Sequence, residues 1–236
     1  RWFNHYRSNP QDGNSLNNNI VWSIHEEESG VLWIGTHGGG LNRFDRKTNR
    51  YTHYRHRSGD PKSLSSDYVR LVYADSTGML WIGTNGGGLN RFDRQKQEFT
   101  AYRHDPGNPG SLSHNDIRSI LEDRQGSLWI GTHEGGLNRL ERKTGKFTRY
   151  RHDEKDPNSL GNDVIRCIFQ DHAGVLWLSA YGSGLERFDP STGRFFHYRA
   201  GAGSKNGLSN NYLFALHEDR HHNLWIATWG GGLNRL

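Results

Sequence analysis

The stretch Leu32–Asp45, LWIGTHGGGLNRFD, decides how the rest of the chain is read. Taken alone, His37-Gly38-Gly39-Gly40 spells the HGGG pattern of lipase and esterase oxyanion holes. A glycine-rich turn after a strand can equally cradle phosphate. Either role needs the motif once, beside one nucleophile or one Lys-Ser/Thr pair. Here the motif returns as LWIGTNGGGLNRF at 80, LWIGTHEGGLNRL at 128, LWLSAYGSGLERF at 176 and LWIATWGGGLNRL at 224. The five starts are evenly spaced, without an insertion. No G-x-S-x-G elbow occurs, and no Lys-Ser/Thr pair follows the glycines. The run therefore reads as a structural turn, repeated five times.

One repeat, residues 113–160, shows what is built. DIRSILED carries Ile117 and Ile120 and reads as a strand. DRQG is a tight turn, in which Asp123 can bond the backbone ahead and Gly126 can take positive φ. In the next strand, SLWIGT, Leu128, Ile130 and Thr132 face one way while Trp129 and Gly131 face the other. HEGG and RKTGK then turn the chain into two further strands, LNRLE and FTRYRH. Each unit is a four-stranded antiparallel meander with apolar residues on both faces, so it needs a neighbour on each side. A five-bladed β-propeller meets that need, and the whole chain, 1–236, is expected to be one such domain of five 48-residue repeats.

Composition agrees with this all-β reading. Only 32% of residues are hydrophobic, yet 12% are aromatic, with eight Trp, so the core rests on few, large side chains. Thirty glycines favour many short strands over helices. The single cysteine, Cys167, excludes an internal disulfide and lies in the apolar stretch VIRCIF, where it should be inert. No apolar run reaches the length of a membrane span.

The ends suggest closure. RWFNHYR at the start matches the fourth strand EFTAYRH, with Phe3 two periods before Phe99. The chain stops after the second and third strands of the fifth unit. The expected twenty strands thus include an N-terminal strand that pairs with the last three and closes the ring. A monomer is expected on this reading. An open segment of a larger ring, completed by other copies, is the alternative.

The quoted repeats, EDRQGSLWIGTHEGGLNRLERKTGKFTRY above all, resemble the two-component regulator propeller repeat. The resemblance covers all five copies through Asp-x-x-Gly, Leu-Trp-Ile-Gly-Thr and Gly-Gly-Leu. It implies an extracytoplasmic or periplasmic sensor region of a hybrid histidine kinase or related signalling protein, implicated in sensing carbohydrates. Kinase, response-regulator and β-sandwich segments of such proteins are absent here, and no signal peptide precedes Arg1. Those departures are expected of a module cut from a longer parent. Units 65–112 and 113–160 match at 24 of 48 positions, as recent amplification or engineering would leave them.

Positions that vary between repeats are free for a ligand. One column lies four residues after the repeat Trp: His37, Asn85, His133, Tyr181 and Trp229. Another lies eleven before it: Trp22, Arg70, Arg118, Arg166 and Phe214. Both fall at the end of the blades that holds the glycine turns. Aromatic faces suit the C–H faces of sugars, and Arg forks suit carboxylate or sulfate. The expected partner is a small, sugar-like ligand at the mouth of the central channel. The competing reading is a structural or protein-interaction scaffold, whose Arg and aromatic side chains merely plug that channel.

Other chemistry finds less support. The two rim columns hold no Asp or Glu, so paired carboxylates for an enzyme are not expected. His56, His104 and His152 recur at one place, as structural residues do. His221 and His222 are adjacent in a turn, a poor spacing for two ligands, and no metal or other cofactor is expected. The formal charge of +5 is spread by the repeat, Arg43, Arg91, Arg139, Arg187 and Arg235 sharing one place. Nucleic acid and membrane are therefore not expected partners.

Overall fold

The computed structural model describes residues 2–201 and 207–236. Nineteen strands form five antiparallel sheets, with no helix among the described residues. The first sheet is β1 (Val21–Glu26), β2 (Val31–Thr36), β3 (Leu41–Asp45) and β4 (Arg50–Tyr54). The second is β5 (Val69–Ala74), β6 (Leu80–Thr84), β7 (Leu89–Asp93) and β8 (Glu98–Tyr102). The third is β9 (Ile117–Glu122), β10 (Leu128–Thr132), β11 (Leu137–Glu141) and β12 (Lys146–Tyr150). The fourth is β13 (Ile165–Gln170), β14 (Leu176–Ala180), β15 (Gly184–Asp189) and β16 (Arg194–Tyr198). The fifth has three strands, β17 (Leu213–Glu218), β18 (Leu224–Thr228) and β19 (Leu233–Arg235). Strands pair in chain order, so each repeat is one blade, and the five blades are those of a β-propeller.

The described residues pack as two compact units, the chain up to Arg103 with Asn115–Ile117, and His104–His114 with Arg118–Leu236. In the first, Trp33 of one blade meets Phe92 of the next at 5.5 Å between ring centroids. In the second, Trp129 meets Phe188 at 5.3 Å, the same contact two repeats on. All five residues of β6, β10 and β14 are buried, because each is covered on both faces. Gly83 shows how close the blades come: a Cβ there would lie 2.8 Å from Ile117.

Each blade is fastened by bonds that the repeat copies. The carboxylate of Asp123 accepts the Trp129 indole N–H at 2.7 Å and the backbone N–H groups of Gln125 and Ser127 at 3.0 and 2.8 Å. Asp75 does the same for Trp81, at 2.9 Å. The recurring arginine serves the same tryptophan: Arg139 lies over the Trp129 ring, 5.7 Å from its centroid. His56, His104 and His152 each reach the carbonyl of Leu64, Leu112 or Leu160. Burial pushes the Cys167 thiol up, away from the reactive thiolate.

The last turn of the motif answers the oxyanion question. Gly40 and Gly88 donate their N–H groups to the carbonyls of Asp67 and Asn115, at 2.9 and 2.8 Å. Gly136 and Gly184 donate likewise to Asp163 and Asn211. These amides hold the next repeat and have nothing left for an oxyanion. Gly88 must be glycine, since its φ is 81° and a Cβ would lie 2.2 Å from the Tyr102 carbonyl.

One blade departs from the pattern inside. A buried Asn on the third strand, as in Asn90 and Asn138, bonds the hydroxyls of Ser65 and Ser113 at 2.7 Å. The fourth blade has Glu186 there, fully buried, with Gly161 in place of the serine. Ser183 donates to Glu186 at 2.7 Å, and His197 bonds its other oxygen. Burial drives the Glu186 carboxyl above its ordinary range, against the Ser183 hydroxyl and His197.

At the N-terminus the described residues show less regular structure than the repeat match predicts. Residues 2–7 carry no strand, the fifth sheet ends at β19, and Trp2 and Phe3 are 97% and 93% exposed. What holds this segment is local: Tyr6 packs on Phe44 at 5.3 Å, the contact Tyr54 makes with Phe92 at 4.9 Å. The side chain therefore keeps its repeat position against the first blade, although residues 2–7 carry no strand.

Candidate functional site

The glycine turns between the second and third strands of each blade, and the loops between repeats, bring the variable columns to the ends of the inner strands. In the second unit, β13 and β17 place Arg166 and Phe214, while the turns after β14 and β18 place Tyr181 and Trp229. The Arg166 guanidinium lies over two rings at once, 4.9 Å from the Tyr181 centroid and 5.0 Å from that of Phe214. Phe214 stacks on Trp229 at 5.2 Å, and Tyr181 meets Tyr212 edge-on at 4.8 Å. These residues and Leu213 line a pocket of about 280 Å³. Its aromatic walls stay open to solvent, Trp229 at 67% and Tyr181 at 43% exposure. A large exposed ring is costly to leave in water, so a cluster of four marks a surface suited to contact.

The first unit carries a smaller cluster of the same kind. Trp22 meets His37 at 4.6 Å, His37 meets Tyr68 at 4.9 Å, and Arg70 lies 4.9 Å over the Trp22 ring. Asn85 is turned elsewhere, its amide donating to both Asp116 oxygens at 3.1 and 3.2 Å. In the second unit Arg118 is half-buried on β9. His133 has its Nδ1 3.6 Å from the Glu134 carboxylate.

Three side chains escape the sequence reading. Tyr68 and Tyr212 occupy a further variable column, with Ile20, Asp116 and Val164, thirteen residues before the repeat Trp. A scan of every column of the repeat for variability would find it. Glu134 is the third: it holds φ 72° at a place where Gly38, Gly86, Gly182 and Gly230 stand in the remaining repeats. The turn end of the third blade thus does hold an acid, which the two columns considered above lack.

Meanders of this kind, one per repeat and packed through Trp and Gly, define a repeat β-propeller. The chain belongs to the two component regulator propeller family, whose model matches residues 15–38, 63–86, 111–134, 159–182 and 207–230. Among curated proteins, none matches this sequence. Of solved structures, the extracellular domain assigned to a hybrid two component system of B. thetaiotaomicron is 26% identical, with a TM-score of 0.54. The match covers 92% of this chain and 40% of that one. A second such domain from B. thetaiotaomicron, assigned to a one component system, is 24% identical over 92% of this chain and 36% of its own, with a TM-score of 0.53. This chain therefore spans less than half the length of those domains. Virginiamycin B lyase from Staphylococcus aureus shares the fold, at 18% identity and a TM-score of 0.65, over 92% of this chain and 69% of the lyase.

Proposed function

We propose that this chain is a ligand-sensing module of an extracytoplasmic signalling protein. Its Arg166–Trp229 pocket would take a small sugar-like ligand with an anionic group. The observation that carries the reading is one guanidinium held over two aromatic faces beside a third exposed ring. Rings accept the apolar C–H face of a pyranose, while the outer edge of the Arg166 fork is left to meet a carboxylate. The extracellular domains named above support the location, and they support a sensing role over catalysis. No carboxylate pair or nucleophile with a base is among the residues lining this pocket. Binding itself is then the output, and a signal would pass to whatever domain the parent protein carries.

The test is a titration with glucuronic acid, neutral glucose and oligosaccharides of each, followed by tryptophan fluorescence. Saturable binding of the acidic sugar is expected, weakened at least about tenfold, or 1.4 kcal/mol, by Arg166→Ala and by Trp229→Ala. Equal affinity in both variants would remove the pocket from the reading. A chain that stays folded yet binds none of these ligands into the millimolar range would be better described as a scaffold.

A further inference from the structure

At the other end of the same strands, the turn between β17 and β18 meets the turn between β13 and β14. There His172, Glu218 and His222 gather from two successive repeats, with their ligand-type atoms all within 4.8 Å of one another. The two imidazole rings stack at 3.7 Å between centroids. Glu218 stands between the turns in a fixed pose. Its Oε2 accepts the His172 backbone N–H at 2.8 Å, which leaves Oε1 facing both rings. Oε1 is hydrogen-bonded to His172 Nδ1 and lies 3.6 Å from His222 Nδ1. The carboxylate is 13% exposed and the two histidines 49% and 58%, so an ion could enter from solvent.

A second observation sets this corner apart from its copies. The last position of this turn needs a left-handed backbone, and Gly30, Gly78, Gly126 and Gly174 supply it in the other repeats. The fifth repeat has His222 there instead, at φ 65°. Replacing glycine by a side chain at positive φ carries a conformational cost, and such outliers gather at functional sites. The equivalent corner between the third and fourth repeats keeps the backbone clamp, since Gln170 Oε1 accepts the Arg124 N–H at 2.9 Å. That corner has Arg124, Gln170 and Gly174, which offer no metal ligand of the same kind.

We propose that His172, Glu218 and His222 form a binding site for a divalent transition-metal ion of the zinc type. Two neutral imidazoles and one carboxylate are a common zinc donor set, and ligand atoms in a tetrahedral site lie about 3.3 Å apart for bonds of about 2.0–2.1 Å. His222 and Glu218 already stand near that separation. The His172–Glu218 hydrogen bond would open to admit the ion at Nδ1, the Nδ1 proton leaving to solvent while Nε2 carries one, so that the ring ligates as a neutral imidazole. The ion would tie the fifth blade to the fourth through side chains, parallel to the backbone clamp already present. Mg²⁺, which prefers oxygen ligands, would not compete.

Isothermal titration of the whole chain with zinc chloride, repeated with magnesium chloride, tests this. One zinc per chain is expected at micromolar affinity, with a rise in melting temperature, and no response to magnesium. His222→Gly installs the residue of the other four repeats, so its fold is safe. It should weaken zinc binding by at least about tenfold and abolish the thermal shift, with His172→Ala doing the same. His221→Ala should change neither. Zinc binding unchanged in His222→Gly, or no saturable binding by the parent chain, would overturn the proposal and leave the cluster a hydrogen-bonded surface corner.

Discussion

The turn Asp123–Gly126 in the third repeat and the turn Asp219–His222 in the fifth are built on the same frame. Asp123 and Asp219 each hold the N–H groups two and four residues ahead, and each accepts a tryptophan indole at 2.7 Å. The two turns differ at their last residue, Gly126 at φ 80° against His222 at φ 65°. What the copies share keeps the blade together. What breaks a shared column, at some conformational cost, marks a place where the sequence answers another demand. Glu134 in the glycine turn of the third repeat is a break of the same type.

Asp123→Ala should break the shared frame most severely. It leaves a fully buried indole N–H and two turn amides without their acceptor, a loss of about 3 kcal/mol in urea unfolding. Asp219→Ala should cost less, because its turn is open to solvent. The Trp225 indole and Asn223 amide hold the Asp219 carboxyl well below the ordinary carboxylate range. Its contribution is therefore present above the unfolded value near pH 4 and lost as pH falls through the folded one. Acid unfolding curves of Asp219→Asn should show a shallower loss than the parent chain.

Restoring the fourth blade to the pattern of its neighbours comes next in size. Gly161→Ser, Ser183→Gly and Glu186→Asn together replace a buried acid by an amide. The first blade already pairs Asn42 with His53 at 2.9 Å in that position. A gain of about 1–2 kcal/mol is expected near neutral pH. The sign of the pH dependence sharpens this. With its folded value raised, Glu186 keeps a proton that the unfolded chain has lost, so its burden on stability grows from about pH 4 upward until the folded value is passed. Melting temperatures from pH 4 to 8 should fall in the parent chain relative to the triple variant.

The smallest effects compare the two turns directly. Without metal, His222→Gly should gain about 1 kcal/mol and Gly126→His should lose about as much, from the left-handed backbone alone. Paired chemical denaturation of the two variants would show it. Equal and opposite shifts would mean that nothing but φ separates the turns.

Much of this is legible from spacing. The even phase of the repeat fixes the four strands of each unit, and the Asp-x-x-Gly and Trp columns name the residues that fasten them. Arg166, Tyr181, Phe214 and Trp229 fall in two columns singled out by variability, and the structure lines one pocket with them. His222 is visible in the sequence, but weighing it against its neighbour His221 hides its role. Its partners, His172 and Glu218, belong to another turn and to a strand end. No local pattern links side chains that lie about a whole repeat apart; only blade packing does. The N-terminal segment, residues 2–7, carries no strand of its own. Sequence similarity to a fourth strand records side-chain preference, as Tyr6 on Phe44 shows, whereas a strand also needs a partner's backbone.

The glycine N–H bonds to the next repeat carry a consequence for synthesis. Gly40 bonds Asp67, and the Arg124 side chain reaches the His172 carbonyl, so neither tie spans more than one repeat. A blade can therefore dock as soon as its successor leaves the ribosome, about 2–10 s later at ordinary translation speeds. Through these ties the first blade would wait on the second. Tension on a nascent chain, read with an arrest peptide at successive lengths, should rise and fall with the period of the repeat. A single rise near full length would mean that the blades assemble together instead.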